Sequence, residues 1–288
     1  MLREIRDLGF EYAELSHGIR ISLVPGIIEA VEAKEIKIST LHNFCPLPIG
    51  IDYPAPNLFK FSSSDRRERE YAWKHSLKTV EMAERVGAKL IVLHSGQVDI
   101  KDYQHRLEEM VLAGEKDSPK YRKLIEEVET KREKKKEEPM RLSLDMIAAL
   151  APIAAERGLL LGVENREGVE EIPFDHDIPY FLASLPDNVR YWHDCGHAQI
   201  KQALGFLDHR IHLENMAQRL GGLHVHDVVV TPEGIHDHCP PGCGEIDYAA
   251  LKPFVNDSHI KVIELSPGVP PEDVARGFEY IKSVWGDQ

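Results

Sequence analysis

Four short apolar runs in this sequence each end on a side chain that can bind a metal ion or move a proton. These side chains are Glu164, Asp194, His224 and Glu264. Three carboxylates and one imidazole form an oxygen-rich, negatively charged set that suits a divalent cation with open coordination positions. Buried carboxylates repel one another and would take up protons unless a cation held them. The four residue types therefore predict a metal centre.

The runs that carry these residues are typical of buried strands in a parallel sheet, which are almost continuously apolar. In a barrel of alternating strands and helices, the carboxyl ends of the strands form the rim where the chemistry takes place. Each of the four residues lies an even number of steps from a small or apolar neighbour, which predicts one common inward direction. His226 shares the side of His224, and we select His224 as the ligand because it lies deeper in its strand.

Five further histidines lie at the ends of other apolar runs or in segments that follow the predicted strands. Two apolar runs upstream end on a histidine, a third histidine follows Asp194, and two more lie in a loop predicted for residues 231–244. The five are His42, His94, His197, His236 and His238. Any one of Glu164, Asp194, His224 and Glu264 alone is explained by an ordinary polar group at a strand end. Four such residues on consecutive strands favour a shared site.

The elements that position these residues alternate between strand-like runs and helical periodicity, which predicts parallel pairing with right-handed crossovers. Seven strands are recognisable, since the chain begins on a helix where a barrel normally begins on a strand. We predict an α/β fold, a (β/α)8-like TIM barrel that lacks its first strand or fills the gap otherwise, as a single domain over residues 1–288. The segment near residues 101–139 is dense in Lys, Arg and Glu and predicts an inserted solvated helix or helical hairpin.

Local signals predict several boundaries. Ser64 or Asp65 is expected to cap a helix that ends at Gly87. Ser143 is expected to cap another helix, which Pro152 kinks or breaks. Residues 199–220 are predicted as one helix, and residues 231–244 as a loop.

Composition narrows the classes of function. The formal net charge of −13 argues against a nucleic-acid partner, because such binding relies on cationic side chains. No run approaches the roughly 20 apolar residues of a membrane span, and no apolar signal region follows the first residue. The chain has only four cysteines, and Cys239 and Cys243 lack the spacing of a zinc knuckle. We therefore expect a cytoplasmic protein with reduced thiols and no membrane partner.

The motifs around these residues resemble the xylose isomerase-like TIM barrel superfamily, and within it the sugar phosphate isomerase/epimerase group. The likeness covers nearly the whole chain from Leu8 onward. The motifs are Glu164-Asn165-Arg166, residues 192–197, His224-Val225-His226-Asp227, residues 237–248 and Ile263-Glu264-Leu265.

This resemblance implies that Glu164, Asp194, His224 and Glu264 hold a divalent metal ion, with Mn²⁺ or Zn²⁺ preferred and Mg²⁺, Co²⁺ or Fe²⁺ as alternatives. It also implies a small carbohydrate-like substrate whose carbonyl and hydroxyl oxygens chelate the metal. Glu164 and Glu264 would be the catalytic pair, one removing a proton and the other returning it, while His197 binds a substrate oxygen. A polarised carbonyl beside a positioned carboxylate is what enolisation needs. The sequence leaves open whether the chain forms a homo-oligomer.

Two alternatives remain. The chain also resembles the endonuclease IV family, whose three zinc ions use positions that match His42, His94, His197 and His238, whereas His236 replaces an aspartate of that family. A catalytically inactive metal-binding barrel is the other alternative, because fold does not fix function.

The epimerases of the superfamily carry an arginine shortly after the histidine ligand, and here residues 228–230 are valines. Arg166 or Lys201 could bind an anionic group of the substrate instead, or each could form an ordinary salt bridge. Trp192 could stack on a sugar ring, or pack in the core beside Asp194.

Overall fold

The computed structural model describes residues 2–286. Seven strands form one parallel sheet, and their order in the sheet follows the chain order. They are β1 (Tyr12–Leu15), β2 (Lys37–His42), β3 (Leu90–Leu93), β4 (Leu160–Glu164), β5 (Val189–Asp194), β6 (Leu220–Val225) and β9 (Ile260–Ile263). The predicted TIM barrel fold with seven recognisable strands is confirmed.

A separate antiparallel hairpin joins β7 (Asp227–Thr231) to β8 (Gly234–Cys239) between the sixth and seventh strands of the sheet. The α-helices alternate with the strands along the chain. They are α1 (Leu2–Asp7), α2 (Val24–Glu32), α3 (Arg66–Val86), α4 (Gln104–Leu112), α5 (Pro119–Lys135), α6 (Glu137–Glu156), α7 (Ile178–Ala183), α8 (Cys195–Ala203), α9 (His209–Met216), α10 (Tyr248–Leu251) and α11 (Pro271–Trp285). Within the described range, no helix is both long and apolar enough to cross a membrane.

The described residues form two compact units. The first contains residues 2–96, 139–164 and 180–190, and includes strands β1 to β4. Its central strand β3 is buried throughout, as its continuous apolar sequence predicts. Helix α3 begins where the Asp65 carboxylate accepts a hydrogen bond from the backbone N–H of Arg67, and it ends at Gly87, which adopts a positive φ of 71°. Both signals were read correctly from the sequence.

The second unit contains residues 97–138, 165–179 and 191–286. Its strands β6 and β9 and most of β5 bring three strand ends into register, since Asp194 pairs with His224 and Val225 pairs with Ile263. The backbone N–H of Glu264 then bonds to the carbonyl of Val225 at 3.3 Å. The predicted charged helical hairpin is also present, as helices α4 and α5.

Three local predictions were wrong. Helix α6 begins at Glu137 and not at Ser143, which is buried inside it, because Glu137 and Glu138 occupy the first turn, where negative charge is favourable. The helix also continues past Pro152 and does not break there. The single helix predicted for residues 199–220 is two, because Gly205 adopts a positive φ of 83° and Asp208 caps a new helix. The predicted loop at 231–244 contains strand β8, whose polar residues disguise its pairing with β7.

The cap of α3 gives a first stability prediction. We expect Asp65→Ala to lower the free energy of unfolding by about 1 kcal/mol, because it removes the acceptor of an N-terminal backbone N–H. Lys74→Ala, at an exposed position of the same helix, is the matched control and should change it by less than about 0.5 kcal/mol. Urea denaturation measures both variants. Equal midpoints for the two would contradict a capping role.

Candidate metal centre and active site

Three of the four predicted ligands form one group in the second unit. The Nδ1 atom of His224 lies 3.0 Å from Oε2 of Glu264 and 3.5 Å from Oδ2 of Asp194. Asp194 and His224 are fully buried, whereas the Glu264 side chain is 19% exposed. They meet because each stands at or just beyond the end of a strand, and β5, β6 and β9 are neighbours in the sheet. Glu264 is thus the member of this group that solvent can reach.

The Asp194 carboxylate is held in place by the backbone around it. The Asn165 side chain accepts a bond from the Asp194 N–H at 2.7 Å and donates one to the Asp194 carbonyl at 3.0 Å. The Asp194 side chain also caps α8, accepting the N–H of His197 at 2.7 Å. Burial alone would raise the pKa of Asp194, yet the imidazoles of His197 and His226 hold it well below its usual value. Asp194 is therefore an anion in a fixed orientation.

His226 is one of the residues that fix this carboxylate. Its Nε2 lies 3.0 Å from both Asp194 oxygens, and its Nδ1 accepts the backbone N–H of His238 at 2.9 Å. Because Nδ1 acts as the acceptor, we assign the imidazole proton to Nε2, which donates to Asp194. Both nitrogens of His226 are then used within the protein. Of His224 and His226, it is therefore His224 that has a ring nitrogen close to the carboxylates of both Asp194 and Glu264.

A second acid and imidazole group lies nearby in the same unit, formed by Glu167, His197 and Asp237. One ligand atom from each lies within 4.8 Å of the others. The Nδ1 of His197 lies 2.9 Å from the carbonyl of Asn165 and donates to it, so Nε2 is the nitrogen of this ring that is available to the group. Burial raises the pKa of Glu167 above its ordinary value. Sequence reasoning found His197 but missed both carboxylates, since neither ends an apolar run.

The structure separates the two histidines of strand β8. The His238 ring lies 4.1 Å from that of His226 and 6.2 Å from that of His197, centroid to centroid. His236 instead meets the Thr231 hydroxyl at 3.2 Å on the exposed part of the hairpin. His238 adopts a positive φ of 52°, which breaks the strand alternation that would have put both histidines on one side. His236 therefore does not join this group.

The first unit contains its own buried cluster of histidines and carboxylates. The Nε2 of His42 lies 3.1 Å from Oε1 of Glu14, and the Nε2 of His94 lies 2.9 Å from Oε2 of Glu164. The rings of His17, His42 and His94 have centroids 5.1 to 6.1 Å apart. The structure thus brings together the predicted His42, His94 and Glu164. Glu14 was missed because a β-bulge beside Ala13 interrupts the alternation that would have marked it.

A family model for the xylose isomerase-like TIM barrel matches residues 2–284. The chain belongs to this family. No protein of curated function matches it in sequence. Its structural neighbours include a D-tagatose 3-epimerase-like protein, with a TM-score of 0.66 and 15% identity over 98% of this chain and 90% of that one.

Two further neighbours of this xylose isomerase-like barrel have the same degree of likeness. D-Psicose 3-epimerase with D-tagatose, from Clostridium cellulolyticum H10, has a TM-score of 0.65 and 14% identity over 99% of this chain and 92% of that one. The IolI protein, with a bound zinc atom, has a TM-score of 0.65 and 17% identity over 99% and 91%. At these identities the likeness shows the fold alone.

Two residues considered for substrate binding have protein partners in this family member. Arg166 Nε lies 3.1 Å from Oε1 of Glu171, and both side chains are almost buried. Trp192 is fully buried, with its ring centroid 5.0 Å from that of His224. A Cβ at Gly222 would lie 2.3 Å from the same indole, so the tryptophan fills the core behind His224. A buried ring has no face for a sugar, which contradicts the stacking role of Trp192.

The contact between helix α8 and His226 gives a second prediction. A Cβ on Gly196 would lie 2.1 Å from Cε1 of His226, closer than atoms can approach. We expect Gly196→Ala to lower the free energy of unfolding by about 1–3 kcal/mol, because well-packed interiors resist added volume. Thermal unfolding measures it, with Ala203→Ser on the same helix as the control. A variant that unfolds like the parent chain would contradict this packing.

Proposed function

We propose that this protein is a metal-dependent isomerase or epimerase of a small sugar or sugar-phosphate-like hydroxy-carbonyl compound. Protons move through the paired carboxylates Glu164 and Glu264. The observation that carries the proposal is the group of Asp194, His224 and Glu264 at three adjacent strand ends, with Asp194 already held by backbone bonds. Such preorganisation is what a catalytic centre requires.

The donor set of this group fits a divalent cation. Two carboxylates lie within 3.5 Å of one imidazole nitrogen of His224, and a cation would balance the negative charge that one neutral imidazole cannot. Glu164 is the fourth ligand in the proposal. Oxygen and imidazole ligands suit Mn²⁺ or Zn²⁺, and the IolI neighbour binds zinc. When bound, such an ion polarises a carbonyl oxygen of the substrate and makes the proton on the adjacent carbon easier to remove.

The two glutamates have different surroundings, which suits different tasks. Glu264 is partly exposed beside a buried ligand pair, so its carboxylate can reach a substrate carbon and take up its proton. Glu164 is buried, and His94 holds one of its oxygens at 2.9 Å. That contact orients the second carboxyl group, which enters the reaction protonated and gives its proton to the opposite face of the carbon. Solvent then takes the proton from Glu264 and reprotonates Glu164 before the next turnover. Inversion at the carbon gives an epimer, whereas return to the neighbouring carbon gives an isomer.

The substrate we propose is rich in hydroxyl groups. Glu167 and Asp237 offer carboxylate oxygens that accept hydrogen bonds from hydroxyls, and His197 offers Nε2 as a further hydrogen-bonding atom. Two carboxylates at this place would repel a phosphate group, which favours an uncharged part of the substrate here. Two neighbours are described as a ketose epimerase or as similar to one, which supports a carbohydrate.

The proposal also covers the domain organisation and the cellular compartment of the enzyme. We propose that residues 1–288 act as one catalytic domain in the cytoplasm. All four cysteines are free thiols in the structure, as a reducing compartment would keep them. The formal net charge of −13 disfavours nucleic acid as a partner.

A multi-zinc phosphodiesterase is the second candidate. The observation that favours it is that His42 and His94 each contact a buried carboxylate, of Glu14 and Glu164 respectively, since these are residue types that bind zinc. We rank it lower because His236, which replaces an aspartate ligand of the nuclease family, lies apart from His197 and His238.

Metal counting and hydrogen exchange test the proposal together. The chelated protein is reloaded with Mn²⁺, its metal content is measured, and it is incubated in D₂O with ketoses, aldoses and their phosphates. We expect deuterium on the carbon beside the carbonyl of one class of sugar, and no exchange after chelation. Metal binding without exchange on any sugar would overturn the proposal in favour of an inactive barrel. Cleavage of an abasic DNA would overturn it in favour of the phosphodiesterase.

A further inference from the structure

A buried group of histidines and a thiol lies on β5 and the two helices that follow it. It consists of His193, Cys195 and His209, and one ligand atom from each lies within 4.8 Å of the others. All three side chains are fully or almost fully buried. His193 precedes Asp194 in strand β5 and so belongs to the opposite side of the strand, and Cys195 follows Asp194 as the first residue of helix α8. The proposed reaction uses none of them.

The two imidazoles face each other through one nitrogen and are held through the other. The Nε2 atoms of His193 and His209 lie 2.9 Å apart. The Nδ1 of His209 lies 3.3 Å from Oε1 of Gln199, an acceptor, so this nitrogen carries the proton and Nε2 presents its lone pair. Burial lowers the pKa of His209 to about 3, which keeps the ring neutral. Its lone pair therefore points at Nε2 of His193.

The other imidazole can change tautomer because Tyr191 lies between two histidines. The Tyr191 hydroxyl is 2.8 Å from Nδ1 of His193 and 2.7 Å from Nε2 of His212. When it donates to His193, the Nε2–H of His193 bonds to His209 and every nitrogen is satisfied without an ion. When it donates to His212, Nδ1 of His193 carries the proton and Nε2 presents a second lone pair beside that of His209.

We propose that His193, Cys195 and His209 form a second metal site, for a thiophilic divalent ion such as Zn²⁺. One thiolate and two imidazoles are typical zinc ligands, and both imidazoles have the outer hydrogen-bond partners that ligating histidines require. Ligands at ~2.0 Å in a tetrahedron put two nitrogens ~3.3 Å apart, so the 2.9 Å contact needs to open by a few tenths of an ångström.

The proton balance of this binding is simple. The thiol of Cys195 loses its proton to solvent, as metal binding to a cysteine requires. His193 and His212 each exchange one tautomer for the other and remain neutral, while His209 does not change. The ion would tie together the residues on both sides of Asp194. This second site would therefore stiffen the segment that carries a ligand of the proposed catalytic centre.

Cobalt tests the site, because a thiolate bound to Co²⁺ gives a charge-transfer band in the near ultraviolet that carboxylates and imidazoles do not give. The full chain is produced in cobalt-supplemented medium, so that the ion can enter during folding. We expect the band in the parent chain. Cys195→Ser should lose the band and should contain one equivalent of cobalt less than the parent chain. The double variant Cys239→Ser/Cys243→Ser is the control and should keep the band.

Further variants keep the result decisive. His209→Gln should also abolish the band, and it replaces Cys195→Ser if that chain fails to fold. Glu264→Gln should keep the band, which separates this site from the proposed catalytic centre. A parent chain without the band, or a band that survives both Cys195→Ser and His209→Gln, would overturn the second site.

Discussion

Glu264→Gln is expected to slow deuterium exchange on an accepted sugar by a factor of about 10²–10⁴, the usual contribution of a positioned general base. In the native chain, Oε2 of Glu264 lies 3.0 Å from Nδ1 of His224. Glutamine has the same size and can still place an oxygen near this nitrogen. It cannot take up a proton from carbon. The loss should therefore appear in the exchange rate at saturating metal and substrate, measured by mass spectrometry in D₂O.

The control for this variant is Glu279→Gln, an identical change at an exposed position of helix α11. It should exchange deuterium at the parent rate. Because Glu264 is also a proposed ligand, metal content is measured for each preparation before the rates are compared. A fully loaded Glu264→Gln chain with the parent rate would remove this residue from the proton transfer, whatever its part in binding the metal.

The strand-end rule explains how much of the site could be predicted. Parallel strands place their carboxyl ends at one edge of a sheet, so the last residue of an apolar run is informative without any contact data. This rule found Asp194, His224 and Glu264, which the structure brings together, and also His94 and Glu164. It depends only on local sequence and strand order.

The residues that the rule missed reach their sites by other means. Asn165 follows β4 and acts through a pair of bonds to the backbone of Asp194, a pairing that sequence does not encode locally. Glu167 and Asp237 stand in a loop and a bulged hairpin, where no period relates position to direction. For Trp192 the sequence left a stacking role and a core position open, and the structure favours the core because Gly222 leaves room for the indole there.

The fold was predicted better than its boundaries for a similar reason. Hydrophobic alternation marks a buried strand from its own residues, and every strand of the parallel sheet was recognised. Helix ends depend on single residues whose signals compete. Ser143 resembles a cap, but the acidic first turn at Glu137 starts the helix earlier. Gly205 lies inside an apolar periodic segment, but its positive φ stops helix α8 from continuing, and Asp208 then caps helix α9.

His226 combines both kinds of information, because its position in the strand was visible in the sequence but its task was not. It lies beside the predicted ligand and has the same side-chain chemistry. The hydrogen bond from the His238 N–H to Nδ1 of His226 shows the task of this ring, because the proton must then be on Nε2, which donates it to Asp194. A histidine that donates to a ligating carboxylate fixes its orientation and sustains its charge.

We therefore expect His226→Ala to weaken metal binding by a factor of about 10–100, the usual cost of losing such an outer partner. His226→Gln should recover most of this loss, because its amide N–H can donate to Asp194 from nearly the same position as Nε2. Competition with a fluorescent chelator measures both affinities, and circular dichroism confirms folding. His105→Ala, which removes an exposed histidine paired with Glu109, is the control and should bind metal as the parent chain does.

The contrast between the two His226 variants separates orientation from packing. Glutamine fills less of the imidazole volume but keeps the donor, so a packing role alone would leave both variants weakened in proportion to the volume lost. Recovery of affinity by glutamine but not by leucine, which has similar bulk and no donor, would assign the effect to the bond with Asp194. Equal affinity in the leucine and parent chains would show that Asp194 keeps its orientation through Asn165 and the cap of α8 alone.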